Sequence, residues 1–244
     1  MKKFYPVLFL LLTACNKEQP ATKPVQFSST VYEFLGTYDN TSKPHYLQKR
    51  DTISTDMINF IKITIPEASD LRKTHPELLS TKAIADIALT QSSDIYITFV
   101  SQGANLADAF AFYTYPTNSP PASAKDIQKI TYVFPNAGHL SPLWAGDKVK
   151  IGSFNAGTSI GFVLMQDAWN DATKTLNNAA VHFCSNDVLN PETNPALKKH
   201  AVLIDYSSGN NRKVLIGFED VDRTKQECDH DFNDVVVYAT VTAN

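Results

Sequence analysis

The residues with the clearest chemical potential form two acidic clusters near the C-terminus, each beside a strongly apolar run. Asp229, Asp231 and Asn233 follow the i, i+2, i+4 spacing with which a loop wraps oxygen atoms around a hard cation. Calcium takes about 6–8 oxygen ligands, many of them carboxylates. The sequence therefore predicts a calcium site whose ligands are Glu219, Asp220, Asp229, Asp231, Asn233 and Asp234.

The spacing begins like an EF-hand but does not continue as one, because Asp234 stands where the loop needs Gly and Thr240 where it needs Glu. Two alternatives to a cation site are open. The first is a solvated acidic turn, since Asp and Asn often end strands in Asx-turns. The second is a glycosidase pair formed by Glu219 and Asp231. A catalytic acid needs an apolar pocket, so a run of acids favours a cation over an envelope polysaccharide hydrolase.

A further polar stretch follows the apolar run Ile160–Met165 and is expected at the end of a strand. Asp167 in this stretch is predicted to complete the cation shell from a neighbouring loop. Trp169 is either a ring that stacks on a glycan or a core or rim tryptophan beside a turn, and we favour the second interpretation. The six histidines show no zinc spacing.

The elements that must position these residues are mostly short apolar runs, punctuated by Pro, Gly, Asn or Asp. Ile61–Ile65 and Ile95–Phe99 alternate strictly between apolar and polar residues, as half-buried strands do. We predict an all-β fold, an antiparallel β-sandwich or jelly-roll-like domain with one short helix from about Pro76 to Leu89. The other predicted strands are Ala109–Tyr115, Ile130–Phe134, Lys148–Gly152, Ile160–Met165, Ala180–Cys184, His200–Asp205, Lys213–Phe218 and Asp234–Val241.

The N-terminal residues have the pattern of a bacterial lipoprotein signal. Lys2 and Lys3 precede the apolar run Phe4–Leu12, which is too short to span a membrane. Leu12–Cys15 resembles a lipobox, in which the cysteine thiol receives the lipid. We therefore expect a membrane anchor at Cys15, in the outer membrane or on the cell surface. The predicted organisation is a signal peptide over 1–14, a flexible tether over 15–28, an extension over 29–54 and a β-sandwich over 55–244.

The charge restricts the kinds of partner that the protein can bind, and the cysteine content bears on its cellular compartment. The net charge of −3 gives no basic excess to neutralise a phosphate backbone, so we predict no nucleic-acid partner. Besides Cys15, the chain has Cys184 and Cys228. An oxidising compartment permits a disulfide between these two residues, and the alternative is two separate buried thiols.

The motif Gly217–Asp220 followed by Asp229–Asp234 resembles the paired signature of domain-of-unknown-function family 4114, a β-rich domain of secreted and surface bacterial proteins. Upstream segments extend the similarity to about residues 90–242. One departure is Asp222–Cys228, which is basic and contains a cysteine where a short polar link is expected. The resemblance implies export and a β fold, but no established activity. We expect a lipid-anchored, calcium-containing module that binds a glycan or a surface protein.

Overall fold

The computed structural model describes residues 26–83, 85–207 and 212–244. The predicted signal peptide, the lipidation site Cys15 and most of the predicted tether lie outside these residues. Among the described residues, no helix has both the length and the apolar character needed to cross a membrane. The last part of the predicted tether is packed, because Phe27 is buried and Gln26 Nε2 donates a hydrogen bond to the carbonyl of Leu189 at 2.6 Å.

Strands dominate the described residues, and the predicted all-β sandwich is confirmed. Two α-helices precede most of the strands, α1 (Thr55–Thr64) and the single turn α2 (Leu71–Thr74). In chain order the strands are β1 (Val31–Phe34), β2 (Ile87–Ala88), β3 (Ser93–Gln102), β4 (Ala109–Pro116), β5 (Lys129–Phe134), β6 (Lys148–Phe154), β7 (Thr158–Met165), β8 (Trp169–Asn170), β9 (Thr175–Leu176), β10 (His182–Cys184), β11 (Ala201–Asp205), β12 (Arg212–Phe218) and β13 (Val235–Ala243).

The strands form two principal sheets. The first sheet has the order β1-β5-β4-β7-β10, with β2 also paired to β7. The second sheet has the order β11-β12-β13-β3-β6, and β8 and β9 form a separate two-stranded ribbon. All strand pairs are antiparallel except β1 with β5, which is parallel. The segment predicted as an extension before the sandwich therefore supplies an edge strand of the first sheet.

Apolar side chains fill three layers of this sandwich. The central layer lies between the two sheets and contains residues such as Ile97, Phe110, Phe162 and Val237. A further cluster covers the outer face of the second sheet, where Val236 packs beside residues of α1. Another cluster covers the outer face of the first sheet. Because both faces of β13 are buried, its sequence is a continuous apolar run rather than an alternating one.

The predicted helix and one predicted strand are wrong. Among the described residues between Pro76 and Leu89, Pro76–Leu79 forms a short 3-10 turn and Ile87–Ala88 forms β2. Ile61–Ile65, predicted as a strand, forms the end of α1 and its C-cap. Five alternating residues fit either period, and tertiary packing decides between them.

Two local features explain why α1 is a helix. The Ser54 side chain accepts a hydrogen bond from the Met57 backbone N–H at 3.2 Å, which caps the N-terminus. Met57, Ile61 and Ile65 recur every four residues, and all three are buried against the second sheet. This spacing gives the helix one apolar face, which matters for the site because the loop after α1 reaches the acidic residues described next.

Candidate metal centre

Strand pairing brings the two acidic motifs together. β12 and β13 are antiparallel neighbours in which Phe218 lies opposite Val235. Glu219 and Asp220 therefore leave β12 at the point where Asp234 enters β13. The Asp220 backbone N–H donates a hydrogen bond to Asp234 Oδ2 at 2.8 Å, which fixes the two motifs against each other.

The loop before β13 alternates between ordinary and left-handed backbone conformations. His230 and Phe232 have φ angles of 64° and 61°. The Asp231 N–H donates to Asp229 Oδ1 at 3.3 Å, and the Asn233 N–H donates to Asp231 Oδ1 at 3.1 Å. These Asx-turns, with the fully buried ring of Phe232 as an anchor, hold the loop in one shape.

The glycine of the first motif permits this loop to lie close to β12. A Cβ atom built on Gly217 would overlap the carbonyl oxygen of Phe232 and would lie 3.0 Å from Ile65 Cδ1. Any larger side chain at residue 217 must therefore displace either the loop or α1. The glycine is required here by close backbone approach and not by a left-handed conformation.

Three carboxylates meet in the crevice between the two motifs, two of them buried and Asp229 exposed, and we call Glu219, Asp229 and Asp231 the outer carboxylates. One oxygen of each lies within 4.8 Å of the other two. Two oxygens bound to one calcium ion at about 2.3–2.6 Å are at most about 5 Å apart. The geometry of the outer carboxylates therefore fits a single shared cation.

Hydrogen bonds from the chain orient the outer carboxylates. The Cys228 thiol donates to Glu219 Oε1 at 3.1 Å, and the Phe232 N–H donates to Glu219 Oε2 at 3.4 Å. The Ala68 N–H, in the loop after α1, donates to Asp231 Oδ2 at 2.8 Å. This last contact adds a third segment of the chain to the site.

A second group of carboxylates, Asp108, Asp220 and Asp234, adjoins the first, and we call these residues the inner carboxylates. Asp108 directly precedes β4 and is 0% exposed, while Asp220 is 2% exposed. Asp108 and Asp234 are close enough to Asp220 for each to influence the pKa of its carboxyl. Within the described part of the chain, Asp108 Oδ2 and Asp220 Oδ2 have no hydrogen-bond partner.

Burial and crowding make these acids hard to ionise without a cation. Burial, followed by the charges of Asp229 and Asp231, raises the pKa of Glu219 to about 7. Burial also raises the pKa of Asp231 to about 6 and, together with Asp220, that of Asp234 to about 9. The pKa of Asp108 is raised by burial first and by Asp220 second. No ion pair between described residues involves an inner or outer carboxylate.

Most of the acids border one narrow crevice of about 170 Å³. It is lined by the outer carboxylates, by Asp220 and Asp234, and by Glu67 and Asn105 from two other loops. Glu67, Asn105 and Asp108 are absent from the ligands predicted from the sequence. An acid immediately before an apolar strand, the pattern of Asp234, is the one signal that points to Asp108.

Two residues of the predicted ligand set do not line the crevice. The Asn233 side chain points toward α1, where Nδ2 lies 3.4 Å from the carbonyl of Ile65. Asp167 accepts a hydrogen bond from the Ala107 N–H at 3.3 Å, and its own N–H donates to Asp108 Oδ1 at 2.8 Å. Asp167 therefore orients an inner carboxylate instead of contributing its own oxygens to the crevice.

The remaining candidate residues are buried within the fold. Trp169 is 5% exposed, with its ring at an edge-to-face angle to Tyr38, so it does not present a stacking surface. Cys184 and Cys228 are separate buried thiols, the second of the two alternatives considered above. Cys184 belongs to the apolar cluster outside the first sheet, whereas Cys228 faces Glu219.

Comparison with known proteins gives one match. No curated protein and no solved structure matches the chain. The family model begins at residue 154, so the upstream similarity inferred over residues 90–153 lies outside it. Residues 154–242, from the last residue of β6 into β13, match the model of Domain of unknown function (DUF4114), and the chain therefore carries a DUF4114-like domain.

Proposed function

We propose that the protein is a calcium-binding β-sandwich module with a binding or structural role in the cell envelope. The observation that carries this proposal is the convergence of three outer carboxylate oxygens within 4.8 Å of one another. Glu219 comes from the end of β12, whereas Asp229 and Asp231 come from the loop before β13. A cation shared by these residues would tie the loop to the sheet.

Charge supports a cation at this position. Buried carboxylates without a counter-charge are strongly unfavourable unless they are protonated or bind a metal. The buried Arg223 directs Nε toward His230 and NH1 toward the carbonyl of Lys199, and no ion pair between described residues joins it to these carboxylates. A divalent cation would therefore supply the charge that the described residues do not.

The ligand chemistry favours calcium over magnesium. The donors are oxygen atoms carried on an irregular loop, which suits the flexible coordination of calcium. Magnesium demands near-octahedral geometry and retains several waters, so it is held less often by a protein-only cage. Carboxylates without imidazole or thiolate ligands also disfavour zinc and copper.

The hydrolase alternative has less support. Glu219 and Asp231 are close enough for a carboxylate pair, but a crevice of about 170 Å³ is small beside the roughly 300–1,000 Å³ of typical ligand pockets. Burial raises the pKa of both acids, whereas paired catalysis requires one acid to stay ionised while the other carries a proton. We therefore propose a non-enzymatic role.

The location and partner remain those inferred from the sequence. We propose a lipid anchor at Cys15, in the outer membrane or on the cell surface, and a glycan or surface protein as the ligand. A Cys15→Ser variant is the matched control for membrane attachment in any localisation experiment. Trp169 is not part of the proposed ligand surface, since its ring is buried.

Thermal unfolding with and without calcium tests the metal proposal. Calcium at a hundredfold excess over its Kd adds about 2.7 kcal/mol of stability, which corresponds to roughly 5–10 °C in Tm for a chain of this size. Chelation should reverse this gain. Asp231→Ala should lower Tm in calcium buffer and abolish most of the effect of the chelator.

The matched control is Asp171→Ala, which alters an exposed aspartate away from the crevice. This variant should retain the full response to calcium. If calcium leaves the wild-type Tm unchanged and calorimetry detects no heat of binding, the acidic residues form only a solvated turn.

A further inference from the structure

We propose that Asp108 and Asp220 hold a second divalent cation, beside the outer carboxylates, that bridges the two sheets. This inference rests on the proposed function, because it extends the same metal centre inward. Asp108 is outside the residues matched by the family model. The site would therefore join the DUF4114-like domain to a strand that precedes it.

Two buried carboxylate oxygens lack hydrogen-bond partners in the part of the chain that the structure describes. Asp108 is 0% exposed and Asp220 is 2% exposed, yet Oδ2 of each has no hydrogen-bond partner among the described residues. The chain places these residues beside each other, because the Asp167 N–H donates to Asp108 Oδ1 and the side chain of the adjacent Gln166 donates to the carbonyl of Asp220. Two neighbouring buried carboxylates require either a shared proton or a cation between them.

The surroundings favour a cation over a proton. Asp234 flanks Asp220 on its other side, so a single proton would leave two negative charges in this buried group. A divalent cation would neutralise two charges at once. A cation can reach this group through the crevice, because Asp220 and Asp234 also line it.

Backbone contacts hold Asp108 in position for this role. The Asp167 N–H donates to Asp108 Oδ1, which leaves Oδ2 as the free acceptor. The carbonyl of Asp108 accepts a hydrogen bond from the Ala137 N–H at 2.6 Å. Asp108 Oδ2 is therefore held in position by contacts outside the loop that carries Asp229 and Asp231.

The position in the fold gives the second cation a distinct consequence. Asp108 enters β4 of the first sheet, whereas Asp220 leaves β12 of the second sheet. The outer carboxylates all come from the β12–β13 connection. The inner cation would therefore link the two sheets, while the outer cation would order one loop.

Counting bound calcium tests this inference. The wild-type protein is equilibrated with calcium and dialysed. The number of bound metal ions per chain is then measured by mass spectrometry and by calorimetry. We expect two calcium ions per wild-type chain. Asp108→Asn should reduce the count to one, and Asp229→Asn should also reduce it to one by removing the outer ion.

Folding of the variants is checked separately. Asn at residue 108 is isosteric and can donate to Asp220, so Asp108→Asn should be at least as stable as wild type in chelator. A merely structural role for Asp108 predicts a loss of stability there instead. Asp171→Asn is the matched control and should bind two calcium ions.

The other outcomes each have one meaning. A single ion in wild type with no change in Asp108→Asn, or two ions in both, would overturn the inner site while leaving calcium binding intact. A single ion in wild type that is lost in Asp108→Asn would place Asp108 in one shared site and would also overturn the second cation. No bound calcium in wild type would overturn the proposed function itself.

Discussion

Two buried polar regions of this molecule differ in whether their polar atoms have hydrogen-bond partners. At β10, His182 is fully buried, and its Nε2 lies 2.8 Å from the hydroxyl of Tyr32 while its Nδ1 lies 2.8 Å from the carbonyl of Ala180. Its backbone N–H donates to Gln26 Oε1. We call Gln26, Tyr32 and His182 the histidine cluster. In the acidic crevice, by contrast, oxygens of Asp108 and Asp220 lack a partner among the described residues.

This difference is the basis for treating the first region as structural and for proposing a ligand in the second. An unpaired buried polar group costs about 1–3 kcal/mol, and more when it is charged. The histidine cluster is satisfied by the chain itself, and so it can serve the fold alone. The carboxylates are not satisfied, and this is the physical reason for proposing that their partner comes from solution.

The largest loss of stability is expected when the His182 ring is removed from the histidine cluster. His182→Ala removes a ring that packs 4.5 Å from the ring of Phe27 and leaves the hydroxyl of Tyr32 unpaired. We expect a loss of about 3–5 kcal/mol in the free energy of unfolding. Urea unfolding should give the same loss in calcium and in chelator.

His139→Ala is the matched control for this experiment, because that side chain is exposed. It should change stability by less than about 0.5 kcal/mol. A calcium-dependent loss in His182→Ala would contradict the separation of the two regions.

The pH dependence of stability should provide a second test of the contribution of His182. Burial lowers the pKa of His182 from 6.5 to about 4, whereas the unfolded chain takes up the proton near pH 6.5. Because the unfolded state binds the proton first, stability should fall as the pH decreases from about 6.5 to about 4. The full difference corresponds to at most about 3 kcal/mol.

The measurement compares wild type with His182→Phe across this pH range in the same calcium buffer. His182→Phe removes the titrating group but keeps a ring of similar size, so its stability should fall less steeply with acid. Identical slopes for the two proteins would show that His182 does not control this part of the profile.

A smaller effect on stability, but a specific one on calcium, is expected from Gly217→Ala. The added methyl group meets the carbonyl of Phe232, which lies next to Asp231 in the loop. We expect a loss of about 1–3 kcal/mol and weaker calcium binding, because the loop must shift. Urea unfolding and calcium calorimetry measure the two effects separately.

Gly157→Ala provides the matched control. An added methyl group there meets nothing within 4 Å, although the φ of 81° is unfavourable for alanine. This variant should lose some stability and keep its calcium affinity. Unchanged calcium affinity in Gly217→Ala would mean that the loop position does not matter for the metal.

Local sequence patterns predicted much of the sandwich. The runs that became β3, β4, β5, β7, β12 and β13 combine apolar content with clear breaks, which short-range rules detect. Ile61–Ile65 failed because five residues are too few to separate a period of two from a period of 3.6. The capping Ser54 and the four-residue spacing from Met57 to Ile65 carried the helical signal.

The site was predictable only where its residues are close in sequence. Glu219, Asp229 and Asp231 were found because two motifs flank adjacent strands. Asp108 lies more than a hundred residues earlier, directly before a strand of the other sheet. Asn233 shares the spacing of the ligands, but its side chain turns toward Ile65. Spacing alone does not specify which side of a loop a residue occupies.

The position of β13 has a consequence for the timing of folding. This strand is made after every other described strand, yet it lies in the middle of the second sheet, between β12 and β3. A ribosome-bound chain that lacks Val235–Ala243 cannot join these two halves of the sheet. Most of the pairing partners are far apart in sequence, which slows folding. The complete second sheet and the acidic crevice can therefore form only after synthesis of this strand.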